Sequence, residues 1–292
     1  MKIIFEKISV IGLGLIGTSI LHALKNKVEK KITTYAYDIN PQHRSIVRDM
    51  NIATIVSEDI EHAVKNADLI ILSIPVGSMK KVAGQISKHL KKGAIVTDTG
   101  STKLSVINDI KPFIPKKNYF IPSHPLAGTE YSGPKSGFGS LFENRYWLIV
   151  SNYESEETKK LDSFFSGLGS IVEIVNVQYH DRILAITSHL PHLIAFTIVG
   201  TASDFEVDLK NDVIKFSASG FRDFTRLASS DPIMWRDIFL NNADAVLEML
   251  QRFNEDLSDL QKAIRKKDGK KLHSFFSRTR NIRKKIIEAG QS

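Results

Sequence analysis

The chain has 292 residues, of which 42% are hydrophobic, and its lysines and arginines exceed its acids to give a formal net charge of +8. It contains no cysteine, which excludes disulfides, zinc–thiolate centres and thiol nucleophiles. A chain of this length is near the size at which a second core begins, so two domains are expected. Because residues 1–5 lead straight into a strand and no apolar run approaches transmembrane length, we expect a cytoplasmic protein without a membrane partner.

The positive charge is concentrated near the C-terminus. Residues 262–285 contain eleven lysines and arginines and a single acid, Asp268. Phe275, Ile282 and Ile286 recur there at helical spacing, which predicts an amphipathic helix with a solvated basic face. A nucleic-acid patch is the alternative, but the chain has no recognition motif, so we expect no nucleic-acid partner. A modest attraction for anionic substrates is compatible with either interpretation.

A glycine motif stands near the N-terminus. The apolar run 8–11 leads directly into Gly12-Leu13-Gly14-Leu15-Ile16-Gly17, and apolar residues then continue at helical spacing. In this context Gly12 makes a tight turn, Gly14 lets a pyrophosphate approach, and Gly17 allows close helix–strand packing. The helix N-terminus adds amide donors for phosphates. The motif predicts a dinucleotide site, with a plain strand–helix turn as the alternative.

The nucleotide is expected to be NAD. A second β run, residues 32–37, ends at Asp38, which is in position to accept the adenosine ribose hydroxyls. No arginine follows Asp38 immediately, which favours NAD over NADP. We expect Ser73 and Pro75, at the end of a later strand, to complete the cofactor site together with the six residues 12–17.

Strands and helices continue to alternate as far as residue 175. Further strands are predicted at 69–74, 94–98, 119–121, 146–150 and 171–175, with a helix around 157–168. This alternation indicates a doubly wound sheet with crevice loops at the carboxyl ends of its strands. Pro75, Ser101 and His124 each follow a predicted strand, so all three are expected to face that crevice.

Strand signals stop near Val177. A long apolar helix is predicted from Tyr179 to Thr201, interrupted by Pro191, and further helices near 231–253 and 257–287. The sequence therefore predicts an α/β protein with a dinucleotide-binding domain at 1–176, followed by an all-helical domain at 177–292. By fold-level analogy, such a helical half closes the active site and supplies a dimer interface.

His124 is the candidate general base. It lies in the segment Ser123-His124-Pro125-Leu126-Ala127-Gly128-Thr129-Glu130, where a proline and a glycine turn would hold the imidazole in place. A lone histidine is more often a surface or structural residue. His124 gains weight from the glycine motif upstream and from an arginine-containing cluster about a hundred residues downstream.

These segments together resemble the prephenate/arogenate (cyclohexadienyl) dehydrogenase family of tyrosine biosynthesis. The resemblance rests on the motifs at 12–17, 98–103 (DTGSTK), 124–130, 188–192 (SHLPH), 220–226 (GFRDFTR) and 231–235 (DPIMW). One departure is Thr18, where many relatives have another glycine. The chain is too short for a fused chorismate mutase and has no recognisable regulatory domain.

The resemblance implies a Rossmann-type N-terminal domain, a helical dimerisation domain and an NAD-dependent oxidative decarboxylation. Hydride leaves the ring carbinol carbon for NAD, a base takes the hydroxyl proton, and loss of the ring carboxylate as CO2 makes the ring aromatic. His124 would be the base, and Ser101 would orient the imidazole or bridge to the substrate hydroxyl. The dicarboxylate substrate, prephenate or arogenate, would be bound by Arg226, His192, Glu130, Thr129, Trp235 and Asp223.

Each of these assignments has an alternative. Arg226 could be a surface ion pair, Ser101 could cap the helix that begins near Lys103, and Trp235 could belong to the core. His189 and His192 lie three residues apart, but without a third ligand nearby we expect no metal. Another two-domain NAD enzyme, a hydroxyacid dehydrogenase or imino-acid reductase, is the runner-up, and a non-catalytic NAD-sensing or nucleic-acid-associated protein is a third possibility.

Overall fold

The computed structural model describes residues 4–27, 32–152, 154–204 and 215–288. The chain divides into two compact units, Met1–Ala243 and Asp244–Ser292. The domain boundary expected near residue 176 falls inside the first unit.

A six-stranded parallel sheet forms the N-terminal part of the first unit, as the alternating pattern predicts. Its strands are β1 (Lys7–Ile11), β2 (Thr33–Tyr37), β3 (Ile55–Val56), β4 (Leu69–Leu72), β5 (Ile95–Asp98) and β6 (Tyr119–Phe120). They lie in the order β3-β2-β1-β4-β5-β6, so the order reverses between β1 and β4. Ligands bind at such a switch point, outside the carboxyl ends of the strands.

Helices cover both faces of this sheet. They are α1 (Leu15–Lys27), α2 (Pro41–Met50), α3 (Ile60–Val64), α4 (Met79–Ile86) and α5 (Leu104–Ile110). Strand β4 is buried throughout, and its side chains alternate between two hydrophobic clusters. Leu69 and Ile71 pack in one cluster, and Ile70 and Leu72 in the other, because successive strand residues point to opposite faces.

The later strands form a separate sheet instead of extending the first. Strands β7 (Ser123–Pro125), β8 (Tyr146–Val150) and β9 (Ile171–Val175) pair antiparallel and then parallel, with α6 (Glu156–Gly167) between β8 and β9. Two features account for this. Pro122 has no amide hydrogen to continue the ladder beyond β6, and Trp147 of β8 is fully buried, stacked 3.9 Å from Phe165.

This second sheet corrects the expected setting of His124. The histidine does come after a strand of the parallel sheet, β6, but it lies inside β7, opposite Leu148, and not in a loop. Its side chain nevertheless approaches the same region, because β7 packs beside the end of β5.

The apolar stretch after β9 is one continuous helical segment that Pro191 does not interrupt. It consists of α7 (Val177–Leu184), a π-helical turn (Ala185–His189) and α8 (Leu190–Ser203). The Leu190 amide donates to the Ala185 carbonyl, five residues back, and Pro191 follows in the first turn of α8. The wider π turn absorbs the proline, whose ring would otherwise clash with the preceding turn.

This segment is 27 residues long and, by length and composition alone, apolar enough to cross a membrane. The expectation that no apolar run approaches that length was wrong, because it treated Pro191 as a break. Only 28% of the segment's apolar window is buried in the single chain. Its first half also contains buried polar side chains, His180, Asp181 and His189.

Two shorter helices complete the first unit. Helix α9 (Ser219–Ala228) packs against α8, and α10 (Pro232–Asn241) is capped by Asp231, which accepts from the Met234 amide at 2.8 Å. Pro232 occupies the first position of α10, where a missing amide hydrogen costs nothing.

Helix α11 (Ala243–Arg265) begins at the last residue of the first unit, and its remaining residues lie in the second unit together with α12 (Gly269–Glu288). The helix breaks lie at Asn242 and around Lys267, where φ is +53°, and not near residues 254–256 as predicted. Residues 254–256 lie on the exposed surface of α11, where polar side chains are tolerated mid-helix. In α12 the basic residues and Ile282 and Ile286 are exposed.

Candidate active site

The glycine motif forms a cradle at the switch point of the sheet. Gly12 has φ +96°, and a Cβ there would lie 2.2 Å from the Ser73 carbonyl oxygen. A Cβ on Gly17 would lie 1.9 Å from the Gly12 carbonyl oxygen. At Gly14, in contrast, no described residue outside its own turn of chain places a heavy atom within 4 Å of the Cβ position, so there is open space at the start of α1. These residues fit a dinucleotide whose pyrophosphate approaches the backbone at Gly14.

Asp38 lies at the tip of β2 beside this cradle. Its Oδ2 accepts from the Leu13 amide at 2.7 Å, and its Oδ1 from the Asn40 amide at 2.8 Å. These bonds fix the carboxylate next to the glycine turn. Although no arginine follows Asp38 immediately, Arg44 reaches back and donates to the Asp38 carbonyl at 2.7 Å.

Ser73 and Pro75 lie where β4 ends. The Ser73 amide donates to the Ile11 carbonyl at 2.7 Å, and its hydroxyl accepts from Thr99 at 3.1 Å. Pro75 is exposed and precedes a short turn, Val76–Ser78. Helix α10 approaches this turn closely, since a Cβ on Gly77 would lie 2.6 Å from an Asp237 carboxylate oxygen.

His124 is buried, and its ring is held by a second histidine. Its Nδ1 lies 3.0 Å from Nε2 of His180, whose Nδ1 lies 2.7 Å from Oδ1 of Asp181. An ionised carboxylate can only accept, so His180 carries its proton on Nδ1 and accepts through Nε2. His124 therefore donates through Nδ1. Its Nε2 keeps a lone pair, as a general base requires.

Asp181 also caps helix α5. Its two carboxylate oxygens accept from the backbone amides of Lys103 at 2.7 Å and Leu104 at 2.8 Å. The cap for which Ser101 was the sequence candidate is thus supplied from α7. One carboxylate thereby joins α5, α7 and the ring of His180.

A buried ion pair fixes the strand that carries His124. Lys103 and Asp98 are both fully buried and bonded to each other. The Lys103 ammonium also donates to the Ser123 carbonyl at 2.8 Å, while the Ser123 amide and hydroxyl donate to Asp98. Ser123 immediately precedes His124, so the pair determines where the imidazole sits.

The buried histidines are neutral at ordinary pH. Burial, reinforced by His180 and Lys103, puts the pKa of His124 well below its usual value. Burial likewise lowers the pKa of His180, although Asp181 opposes it. Burial would raise the pKa of Asp181, but hydrogen bonds from His180 and the α5 amides outweigh it, so that pKa is lowered.

A second aromatic cluster adjoins this network. His189 is buried, its Nδ1 lies 3.1 Å from the Asn242 side chain, and burial lowers its pKa to about 4. The Trp235 ring meets His189 edge-on and stacks on His192 at 3.8 Å. Both His189 Nε2 and Trp235 Nε1 are buried without a hydrogen-bond partner in the described part of the chain.

Arg226 lies on α9 near His192. The pKa of His192 is lowered by burial first, and the positive charge of Arg226 lowers it further. Arg226 itself is exposed and forms no ion pair with any residue that the structure describes. Among the described residues, the surface ion pair that was the alternative for this arginine is therefore not made. Trp235 is buried in the same cluster, as its core alternative requires, and its role in the substrate pocket stays a prediction.

Ser101 lies beside this cluster, since its backbone is close enough to His189 to oppose the lowering of that pKa. Three other predicted residues are less engaged. Thr129 is exposed and accepts from the Tyr131 amide at 3.3 Å, and Glu130 is half-buried. Asp223 is exposed, and among the described residues no ion pair joins it to Glu130.

The described residues contain no group of three or more His, Asp or Glu side chains placed to hold a metal. His192 is engaged with the Ser188 carbonyl at 2.9 Å.

Sequence reasoning missed part of this site. His180 and Asp181 were not singled out, and Asp98 and Lys103 were noted only within a motif. An adjacent histidine and aspartate in the first helix after β9 was the available signal for the first pair. The sequence around Asn242 gives no sign of its role, because the hydrogen-bond partners of its side chain lie more than fifty residues away.

Comparison with known proteins agrees with this geometry. Residues 20–174 match the family described as prephenate dehydrogenase, nucleotide-binding domain, and residues 176–278 match prephenate dehydrogenase, dimerization domain. A cyclohexadienyl dehydrogenase of Zymomonas mobilis is 38% identical over 282 residues, which is 96% of each chain.

Two solved structures are similar over nearly the whole chain. Prephenate dehydrogenase from A. aeolicus, in complex with hydroxyphenyl propionate and NAD+, superposes with a TM-score of 0.87 at 30% identity, covering 98% of this chain and 99% of that one. Synechocystis arogenate dehydrogenase gives a TM-score of 0.78 at 25% identity, covering 96% and 99%.

Proposed function

Because this chain belongs to the prephenate dehydrogenase family, and is thus an NAD-dependent oxidoreductase of tyrosine biosynthesis, we propose that it oxidatively decarboxylates prephenate, arogenate or both. The products would be 4-hydroxyphenylpyruvate and tyrosine, respectively. The observation that carries the proposal is the buried, neutral His124, oriented by His180 and Asp181 so that Nε2 is free to take a proton.

The residues divide the work as follows. His124 Nε2 removes the proton from the ring hydroxyl as hydride leaves the carbon that bears this hydroxyl. Asp181, acting through His180, stabilises the imidazolium that forms. Ser101 orients the imidazole or the substrate hydroxyl. The Lys103–Asp98 pair holds β7, and hence His124, next to the loop that contains Ser101. Loss of the ring carboxylate as CO2 then follows from the drive to aromaticity.

Arg226 binds a substrate carboxylate through its planar guanidinium. This role is supported by its exposed position near His192 and its lack of an ion-pair partner among the described residues. Trp235 and His192 shape the ring pocket. Glu130, Thr129 and Asp223 line its mouth.

NAD, when bound, accepts the hydride. Residues 12–17 would hold its pyrophosphate, Asp38 would hold its adenosine ribose, and Ser73 and Pro75 would complete the cofactor site. The open space at Gly14 and the fixed carboxylate of Asp38 support this placement.

The same proposal includes a cytoplasmic homodimer built mainly by the helical part, with a functional boundary near residue 176. The two family matches meet at residues 174 and 176, and the second is to a dimerization domain. The exposed apolar surface of α8 and α12 supports the dimer.

NADH formation with prephenate, measured beside arogenate and 3-hydroxyisobutyrate, tests the activity. We expect turnover with at least one of the first two, accompanied by release of CO2. Turnover of the simple hydroxyacid alone would favour the runner-up enzyme class, and no turnover of any would favour a non-catalytic role.

A further inference from the structure

An arginine stands at the ribose end of the cofactor site. Arg44 Nη1 donates to the carbonyls of Asp38 at 2.7 Å and Ile39 at 3.3 Å, and its guanidinium carbon lies 5.8 Å from the centre of the Tyr37 ring. Its side chain is only 13% exposed. The guanidinium is therefore held against the tip of β2.

This position has a meaning for cofactor choice. In dinucleotide sites of this type, the acid that ends the second strand meets the ribose hydroxyls, whereas a nearby arginine accommodates the 2′-phosphate of NADP. Arg44 lies where such an arginine would act. Asp38 does not pair with it directly, because the carbonyl of Asp38, and not its carboxylate, accepts from Arg44.

The carboxylate that does pair with Arg44 is Glu58. Its Oε2 accepts from Arg44 Nε at 3.2 Å and Nη2 at 2.9 Å, and its Oε1 accepts from Arg48 at 2.5 Å. Hydrogen bonds from the two arginines lower the pKa of Glu58, so it is ionised at neutral pH. The Glu58 side chain is 68% exposed, so packing in the core does not account for its position.

We propose that Glu58 is a cofactor-specificity residue: by holding and neutralising Arg44, it withholds from a 2′-phosphate the cation that would bind it. Selectivity for NAD then has two layers, repulsion by Asp38 and occupation of Arg44 by Glu58. The inference rests on the cofactor site assigned under the proposed function, but not on the identity of the substrate.

Calorimetric titration with NAD and with NADP, in the absence of substrate, tests this. The proteins are Asp38→Ser, Glu58→Gln, the double variant, and the double variant with Arg44→Ala. Glu58→Gln should strengthen NADP binding by roughly threefold to fivefold in the Asp38→Ser background, the effect of freeing one partly exposed ion pair. NAD binding should change by less than about twofold, since NAD has no phosphate for Arg44. Arg44→Ala should abolish the gain.

Glu61→Gln is the matched control, because it removes an exposed acid three residues away that pairs with His89 instead of Arg44. The proposal is wrong if Glu58→Gln changes the ratio of NADP affinity to NAD affinity no more than Glu61→Gln does. It is also wrong if the gain in NADP affinity persists when Arg44 is replaced by alanine. Since no substrate is present, inactivity toward prephenate would refute the proposed activity and leave this result intact.

Discussion

The imidazole of His124 has one nitrogen committed to His180 and one available, and this asymmetry is what a general base needs. We predict that His124→Asn lowers kcat by ~10²–10⁴-fold while KM changes little, because a base acts chiefly in the transition state. Steady-state kinetics with prephenate measures both. NAD affinity and the melting temperature serve as controls and should stay near wild type. A variant that retains most of its kcat would require another base.

Arg226 is exposed near His192, forms no ion pair with any described residue, and is the proposed ligand of a substrate carboxylate. Arg226→Ala should therefore raise KM by more than roughly tenfold, because the substrate carboxylate loses its bidentate partner. Thermal stability should be unchanged, and Arg226→Lys should restore only part of the affinity, since lysine has the charge without the fork. Arg222→Ala, one turn earlier on the same exposed surface, is the comparison. If KM rises there and not at residue 226, the carboxylate site belongs to Arg222.

How far single residues could be predicted depends on whether their role is local. The glycine turn and Asp38 follow from local rules, since φ, close approach and the end of β2 depend on the nearby sequence. The partnership of His124 with His180 spans 56 positions and arises only when α7 folds back beside β7. No periodicity in the sequence encodes that contact.

At the scale of elements, one carboxylate links a helix terminus to the chemistry. Asp181→Asn should lower kcat by roughly tenfold or more, because an amide can donate to His180 and reverse the hydrogen-bond direction that leaves His124 Nε2 free. It should also destabilise the protein by ~0.5–2 kcal/mol through the weakened cap on α5.

Asn176→Ala provides the control, since Asn176 caps α7 with a 2.8 Å bond from the Tyr179 amide and takes no part in the relay. Chemical denaturation and kcat are measured on both. If both variants lose a similar amount of stability but only Asp181→Asn loses kcat, the result would support a catalytic role for the hydrogen-bond chain from Asp181 through His180 to His124. Equal kcat losses would mean that helix capping alone matters.

Element boundaries failed where backbone chemistry departs from the usual pattern. Pro191 predicts a helix break, but the π turn before it absorbs the ring. Five residues of β8 look like one more strand of the parallel sheet, but Pro122 and the stacking of Trp147 on Phe165 direct them to a second sheet. The existence of these strands was predictable from hydrophobicity, whereas the sheet to which each strand belongs depended on contacts between residues distant in sequence.

For the whole molecule, buried neutral histidines make stability depend on pH. His124, His180 and His189 all have a lowered pKa, and that of His189 falls from 6.5 to about 4. As the pH drops below 6.5 the unfolded chain binds protons that the folded protein refuses, so stability falls with pH across this window. Melting temperatures between about pH 7.5 and pH 4.5 should show the decline.

Replacing one of these histidines should flatten that dependence. In His189→Gln the loss of melting temperature on acidification should be smaller than in wild type, whatever the change at neutral pH. His273→Gln, which alters an exposed histidine, should leave the slope as it was. An unchanged slope in His189→Gln would show that this histidine is protonated in the folded protein at mildly acidic pH.

The helical segment 177–203 has more apolar surface than the single chain buries. A membrane would cover such a surface, but buried polar groups in the first half of the segment, Asp181 among them, belong to the candidate active site. A second copy of the chain would cover the surface without disturbing them. We therefore predict a homodimer at micromolar concentration, measured by light scattering without detergent.

Two variants test this homodimer. Ile198→Asp, on the exposed face of α8, should shift the protein towards the monomer, whereas Lys80→Asp on α4 should not. A fully active monomer would contradict the predicted homodimer, and so would a protein that is purified only together with membranes.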